Sequence, residues 1–225
     1  MNSKTALLAG ASGLVGNELL HILLNSAQYS HVKVLVRHSL EITHEKLEQV
    51  TIDFDKLDEY AQHFDVDDVF CCLGTTIKKA GSQEAFKKVD YDYPLKMAEL
   101  AASQQAKNFL VITALGADST SKVFYSRTKG QLQLRLKKTG LIALHIFQPS
   151  LLLGERKEFR LGEKFATILS PVFSILMRGK MKKYKPVEAK NVALAMYEVA
   201  QIERTGNYTY PSDRIEIISG KSAEI

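Results

Sequence analysis

Residues 5–16, Thr-Ala-Leu-Leu-Ala-Gly-Ala-Ser-Gly-Leu-Val-Gly, constrain the fold more than any other stretch of the chain. The opening apolar residues read as a buried strand, and Gly10, Gly13 and Gly16 follow at three-residue spacing. Behind them Leu14, Val15, Leu19, Leu20, Ile22, Leu23 and Leu24 carry the close spacing of a buried helix. Strand, glycine turn and helix together form the context of a dinucleotide-binding fingerprint. Gly10 then permits the tight turn, Gly13 lets the backbone approach a pyrophosphate, and Gly16 lets the helix pack close to the strand. Free N–H groups and the positive dipole end of the helix attract phosphate, so Ser12, Leu14 and Val15 join the three glycines as candidate cofactor-binding residues. The competing reading is a glycine turn set by packing alone, as any α/β protein can carry.

The rest of the chain fits one doubly wound, mostly parallel α/β sheet of Rossmann type with helices on both faces. Its 225 residues suffice for a single domain with its own core. We divide it into a cofactor-binding core over 1–153 and a substrate-side cap with closing elements over 154–225. No apolar run reaches the length of a membrane span, so a membrane is not expected as a partner. The chain enters its first strand directly after Met-Asn-Ser-Lys, without the apolar core and cleavage site of a signal peptide; the expected location is the cytoplasm. Cys71 and Cys72 are the only cysteines, adjacent and in an apolar run. They read as a buried, reduced pair. The net charge of +5 suits an anionic cofactor or substrate without calling for nucleic acid. An aromatic-studded basic face and a base-reading motif are both missing. No metal is expected.

The second strand, residues 31–37, ends in Arg37 and His38, with no acid before Glu41. At this place an acidic residue binds the 2′-hydroxyl of NAD, whereas an Arg accommodates the 2′-phosphate of NADP. NADP(H) is therefore preferred and NAD(H) is the alternative; Arg37 as a plain solvated charge is the competing reading. A short strand over 49–54 brings Asp53 and Phe54 to its carboxyl end, beside the adenine. A helix over 56–64 and a strand over 68–73 follow. Cys72, Leu73, Gly74 and Thr75 then lie at a strand's carboxyl end, where ligands of open α/β sheets bind. Residues 80–105 read as a helix interrupted at Tyr93-Pro94, and 108–113 as a fifth strand ending in Thr113.

The helix over 121–139 carries Tyr125 and Lys129 four residues apart, on one face. A nearby ammonium favours the phenolate and moves a group of ordinary pKa near 10 toward acid–base use. The pair alone is common on solvated helices. It gains meaning here because it follows a hydroxyl-ended strand in a chain that opens on a dinucleotide fingerprint.

On these residues the chain resembles an extended or atypical short-chain dehydrogenase/reductase. Within that superfamily it is most similar to the small Tat-interacting-protein-like oxidoreductases and their bacterial relatives. The segments that carry the likeness are Gly10-Ala-Ser-Gly-Leu-Val-Gly16, Val36-Arg37, Asp53-Phe54, Cys72-Leu-Gly-Thr-Thr76, Val89-Asp-Tyr91, Thr113-Ala-Leu-Gly-Ala-Asp118, Tyr125-Ser-Arg-Thr-Lys-Gly130 and Gln148-Pro-Ser-Leu-Leu-Leu-Gly154. The resemblance implies that Thr113, Tyr125 and Lys129 hold the positions of the Ser/Thr-Tyr-Lys catalytic set, and that Pro149 and Ser150 flank the nicotinamide.

A sixth strand spans 141–147 and holds His145, which reads as a satisfied core residue. Beyond Gly154 come a charged loop over 155–160, an interrupted apolar helix over 162–177 and a basic run over 178–185. With Arg156 and Arg160 this run either meets an acidic substrate or forms a solvated positive loop. A helix from Pro186 to Gln201 and short strands over 207–210 and 214–218 close the chain. The expected activity is reversible NADP(H)-dependent carbonyl reduction or alcohol oxidation on a small substrate. The rivals are a redox-sensing NADP-binding regulator without turnover and a flavin-type reductase on the same scaffold. Monomer and homodimer both stay open.

Overall fold

The computed structural model describes residues 3–154 and 184–221. Strands β1 (Lys4–Ala9), β2 (Tyr29–Val36), β3 (Leu47–Thr51), β4 (Asp68–Cys71), β5 (Asn108–Ile112) and β6 (Ala143–Gln148) join one sheet. β7 (Leu152–Leu153) and β8 (Val187–Glu188) pair beside it, and β9 (Gly206–Pro211) returns to close its edge. The main sheet has seven strands in the order β3-β2-β1-β4-β5-β6-β9, and every neighbouring pair is parallel. The order reverses between β1 and β4, and the crevice outside the carboxyl ends of strands at such a switch point is where ligands bind in open α/β sheets.

Parallel strands need helices on both faces, so the central ones are apolar throughout; every residue of β4 is buried. One face is covered by α1 (Leu14–Asn25), α6 (Ala189–Ala200) and α7 (Ser212–Lys221), through Leu19, Leu23, Val192, Met196 and Ile215. The other is covered by a 3₁₀ segment over Phe54–Phe64, α4 (Tyr93–Ser103) and α5 (Phe124–Leu136), through Leu57, Phe64, Met97, Ala101 and Leu132. Among the described residues no helix is long and apolar enough to cross a membrane.

Two expectations fail in instructive ways. Residues 214–218, read as a strand from the alternation Arg-Ile-Glu-Ile-Ile, lie in α7. Five residues of alternation do not separate the two periods; Ile215 is fully buried and Ile217 is half exposed, as helical spacing demands. The helix over 80–105, expected to break at Tyr93-Pro94, is instead α2 (Ile77–Ala80), α3 (Gln83–Lys87), a π turn over Lys88–Asp92 and then α4, which does begin at Tyr93. Gly81 at φ +87° ends α2. Pro94 has no N–H to give to the carbonyl four residues back, that of Asp90. The chain answers with the wider turn, in which the Tyr93 N–H reaches Lys88 O. The charged loop 155–160, the helix expected over 162–177 and the basic run up to residue 183 lie outside the described residues.

A buried polar chain crosses the amino end of the sheet. Asp68 accepts from Lys4 Nζ (3.1 Å), Tyr29 Oη (2.6 Å) and Asn108 Nδ2 (2.7 Å). His145 Nε2 lies 3.1 Å from Asn108 Oδ1, and Nδ1 lies 3.1 Å from the Tyr210 hydroxyl, which also takes a bond from Arg204. Asn108 offers an oxygen here, so Nε2 carries the hydrogen and Nδ1 accepts from Tyr210. Burial and the Arg204 charge push His145 down to about 4, and the ring stays neutral as a satisfied core residue. The unfolded chain therefore takes up this proton at a higher pH than the folded one does. Stability falls as the pH drops from 6.5 to about 4, by at most about 3 kcal/mol from this group. Urea unfolding across that range should show a smaller fall for His145→Gln than for the wild type; equal slopes would contradict the assignment.

Candidate active site

The glycine turn is built by close approach. Gly10 adopts φ +86°, and a Cβ there would sit 2.5 Å from Cys72 O. A Cβ on Gly16 would sit 2.1 Å from Gly10 O. Gly10 thus fastens β1 to the end of β4, and Gly16 fastens α1 to the same turn. Gly13 has φ −82° and ψ 168° and heads α1, where no side chain caps the first N–H groups. Ser12 is exposed beside them, whereas the Val15 side chain belongs to the core and leaves only its backbone for a ligand. Leu14 is half-buried against the chain at Gly154, where a Cβ would meet its Cδ1 at 2.8 Å. An open helix N-terminus over a glycine cradle fits a pyrophosphate.

Along the crevice, Arg37 is exposed directly after β2. Its charge reaches the Tyr93 phenol, whose hydroxyl donates to Asp55 Oδ1 at 2.8 Å. Asp53 and Phe54 lie past the end of β3. The Asp53 carboxylate caps the 3₁₀ segment by accepting from Asp55 N at 3.0 Å. The Phe54 ring is buried against Tyr93, with centroids 5.5 Å apart. Asp53 therefore lies past the carboxyl end of β3 with one carboxylate oxygen engaged by the 3₁₀ segment, and the buried Phe54 ring can offer a ligand little beyond its backbone.

After β4 the backbone of Cys72, Leu73, Gly74 and Thr75 runs past the glycine turn, and Cys72 N donates to Ala9 O at 2.9 Å. Burial pushes the Cys71 thiol up to about 12 and Cys72 up as well, so both are inert thiols, as expected of a reduced pair. Thr75 N donates to Asp90 Oδ2 at 2.8 Å, and Asp90 Oδ1 pairs with Lys129 Nζ at 2.8 Å. Both side chains of that pair are almost fully buried, at 2% and 4% exposed. Asp90 was not among the candidate residues. The Pro94 four positions after it was the available signal, because it forces the π turn that carries Asp90 inward.

Tyr125 and Lys129 share one face of α5, one turn apart. Tyr125 packs on Phe86 with centroids 5.6 Å apart, is 37% exposed, and has no hydrogen-bond partner for its hydroxyl among the described residues. Desolvation raises its pKa, Lys129 lowers it and Asp90 raises it; the net shift is upward. The expectation that Lys129 draws this phenol toward neutrality is therefore corrected: desolvation outweighs the pull of Lys129, whose charge Asp90 partly offsets at 2.8 Å.

A cleft of about 370 Å³ opens over this face, lined by Thr113, Ala114, Leu115, Tyr125, Pro149 and Ser150, with Leu151, Leu152 and Tyr184 at its outer side. Ser150 N donates to Ser212 Oγ at 2.6 Å, which ties α7 to the cleft. Thr113 is 5% exposed. Its hydroxyl donates to Phe147 O at 3.2 Å and accepts from Gln133 Nε2 at 2.8 Å. Its hydroxyl hydrogen is thus directed into the sheet, not into the cleft. The Gln148–Gln133–Thr113 relay behind it was not foreseen either.

Known proteins resemble this one at both levels. A profile of the HIM1 family matches residues 22–181. HTATIP2 of Rattus norvegicus is 40% identical over 170 residues, covering 74% of this chain and 70% of that protein. The protein FMP52 of Candida albicans is 30% identical over 220 residues, covering 95% of this chain and 93% of its own. That protein and its counterparts in Coccidioides immitis and Debaryomyces hansenii are named mitochondrial. These names overturn the expectation of a cytoplasmic location, which rested only on the brevity of the segment before β1. Among solved structures, WbmH of Bordetella bronchiseptica in complex with NAD⁺ superposes with a TM-score of 0.70 at 14% identity, covering 99% of this chain and 82% of that one. Vestitone reductase from alfalfa gives 0.64 at 14% identity, covering 99% and 83%. At such identity the likeness is one of fold, a mostly parallel α/β sheet with helices on both faces. The matched profile and the two relatives settle the rest: the chain belongs to the HIM1 family.

Proposed function

We propose that this chain is an NADP(H)-dependent oxidoreductase that interconverts a small carbonyl compound and its alcohol. The observation that carries the reading is the Tyr125 hydroxyl, without a hydrogen-bond partner among the described residues, at a cleft it shares with Pro149 and Ser150, while Lys129 is buried one helical turn behind it. When bound, the cofactor supplies the hydride. The chain's own residues do the rest. The amides of Leu14, Val15 and Gly16 hold the pyrophosphate, Arg37 holds the 2′-phosphate, and Cys72 to Thr75 line the crevice with their backbone. Pro149 and Ser150 wall the nicotinamide end. Tyr125 exchanges the proton with the substrate oxygen. Lys129 serves the cofactor's ribose side of that face. Thr113 keeps the cleft floor in place through Gln133 and Phe147.

The described lining mixes apolar Ala114, Leu115, Pro149, Leu151 and Leu152 with the hydroxyl residues Thr113, Tyr125, Ser150 and Tyr184; Arg156, Arg160, Lys182 and Lys183 lie outside the described residues, and the substrate screen includes anionic carbonyl compounds. The second reading is a cofactor-sensing protein without turnover. It is favoured by the Thr113 hydroxyl, which donates to Phe147 O and not into the cleft.

A carbonyl panel followed by NADPH oxidation separates the two. Tyr125→Phe keeps the ring and removes the proton, so turnover should fall by about 10²–10⁴-fold with cofactor affinity nearly unchanged. No turnover on any carbonyl, with Tyr125→Phe silent, would favour the sensor. Calorimetry should find NADP(H) binding tighter than NAD(H), with Arg37→Ala losing about 1.5–3 kcal/mol of that difference. Equal affinities in the wild type would remove the preference. Gly13 has a backbone conformation that any residue adopts, so Gly13→Val should keep its far-ultraviolet dichroism and lose saturable dinucleotide binding. Normal binding by that variant would reduce the glycine turn to a packing device.

A further inference from the structure

We propose that Asp90 is a positioning residue: it binds Lys129 and the Thr75 amide into one buried unit, and its negative charge offsets part of that of Lys129 at the desolvated Tyr125 hydroxyl, so that Tyr125 serves as a proton donor. The inference deepens the reading above and rests on it for its catalytic consequence. Three features of the structure meet here. The π turn over Lys88–Asp92 directs Asp90 inward, where it is 1% exposed. Its two oxygens are divided between partners, Oδ1 to Lys129 Nζ and Oδ2 to Thr75 N, each at 2.8 Å. Thr75 lies in the loop after β4 that borders the dinucleotide crevice, and Tyr125 lies one turn from Lys129 on α5. The carboxylate therefore connects the cofactor loop to the helix that bears the proton donor.

Desolvation weighs most on Tyr125; among the described residues, Lys129 from its own helix then favours the phenolate and Asp90 from the π turn opposes it. β4 contributes Cys71, whose thiol is pushed up to about 12 and is neutral. α3 contributes the uncharged Phe86 ring. The loop before α5 contributes Asp118, which is exposed and occupied by the backbone and hydroxyl of Thr120. A cation alone beside the phenol stabilises the phenolate. A cation neutralised within hydrogen-bond distance leaves the hydroxyl intact well into alkaline pH. In reduction the Tyr125 O–H bond breaks and a new O–H bond forms at the substrate oxygen, while the hydride arrives from the cofactor. The phenolate left behind regains a proton from water at the open side of the cleft.

The test reads Tyr125 directly. The tyrosinate absorbance of the full chain is titrated with and without Tyr125→Phe, and the difference isolates this phenol among the nine tyrosines. In the wild type it should titrate above the ordinary value near 10. In Asp90→Asn, which keeps an oxygen for Thr75 N, the midpoint should fall by at least about one pH unit. In the double variant Asp90→Asn/Lys129→Met both charges are gone and desolvation alone acts, so the midpoint should return at least to that of the wild type. An unchanged midpoint in the single variant, or a double variant shifted as far as the single, overturns the proposal. If Asp90→Asn does not fold, Lys129→Met carries the same test with opposite sign and must raise the midpoint. The titration needs no substrate. A downward shift without carbonyl reduction would refute the enzymatic reading alone, whereas turnover with an unmoved midpoint would refute the role of Asp90 alone. Where turnover is found, the alkaline limb of kcat/KM should move with the titration, which a purely structural Asp90 would not cause.

Discussion

The site depends on how closely three backbones meet at Gly10. The carbonyl of Cys72 stands 2.5 Å from where a Cβ on Gly10 would lie, and the carbonyl of Gly10 stands 2.1 Å from where a Cβ on Gly16 would lie. No side chain fits either gap, so β1, α1 and β4 can converge only with glycine at both positions. The convergence falls where the strand order reverses, between β1 and β4. It leaves the first amides of α1 uncapped and brings the backbone of Cys72 to Thr75 alongside them. The crevice is a consequence of packing, and its affinity for phosphate is a consequence of the crevice.

A second constraint joins the first through Thr75. Ion pairs this deeply buried are weak contributors to net stability, because desolvating both charges offsets most of their attraction. The Asp90–Lys129 pair is better understood through what it connects. One carboxylate ties the loop after β4 to α5, and it does so from a π turn that Pro94 imposes. π turns often occur at functional sites, and here the turn sets the charge state around Tyr125. At the other end of the sheet, Asp68, Asn108, His145 and Tyr210 complete one another's hydrogen bonds and serve the core alone.

The strand–glycine–helix opening and the succession of buried strands were legible because each obeys a short-range rule of period or spacing. The parallel sheet and the placement of Gly10, Gly16, Arg37 and Tyr125 followed from them, whereas Pro149 was suggested by the family resemblance alone. What escaped depended on partners distant in sequence. Thr113 ends its strand as expected, but only the fold reveals that Phe147 O and Gln133 take its hydroxyl. Lys129 reads as a free ammonium until Asp90 is brought to it from 39 residues earlier. The segment 214–218 alternates like a strand, yet Pro211 and the buried Ser212, which receives the Ser150 amide, start a helix. Location in the cell escaped for a different reason, since a short run of residues before β1 does not encode it.

The central claim is spatial: a dinucleotide lies across the β1–β4 switch point, with its pyrophosphate on the start of α1 and its reactive end toward Tyr125. Amide-resolved nuclear magnetic resonance of the full chain, titrated with NADP⁺, tests it most directly. The amides of Gly13 to Gly16, Arg37 and Thr75 should shift together and saturate with one affinity, while those of Arg204 and Tyr208 near the β9 edge stay in place. Saturable shifts confined to other surfaces, or none at all, would contradict it.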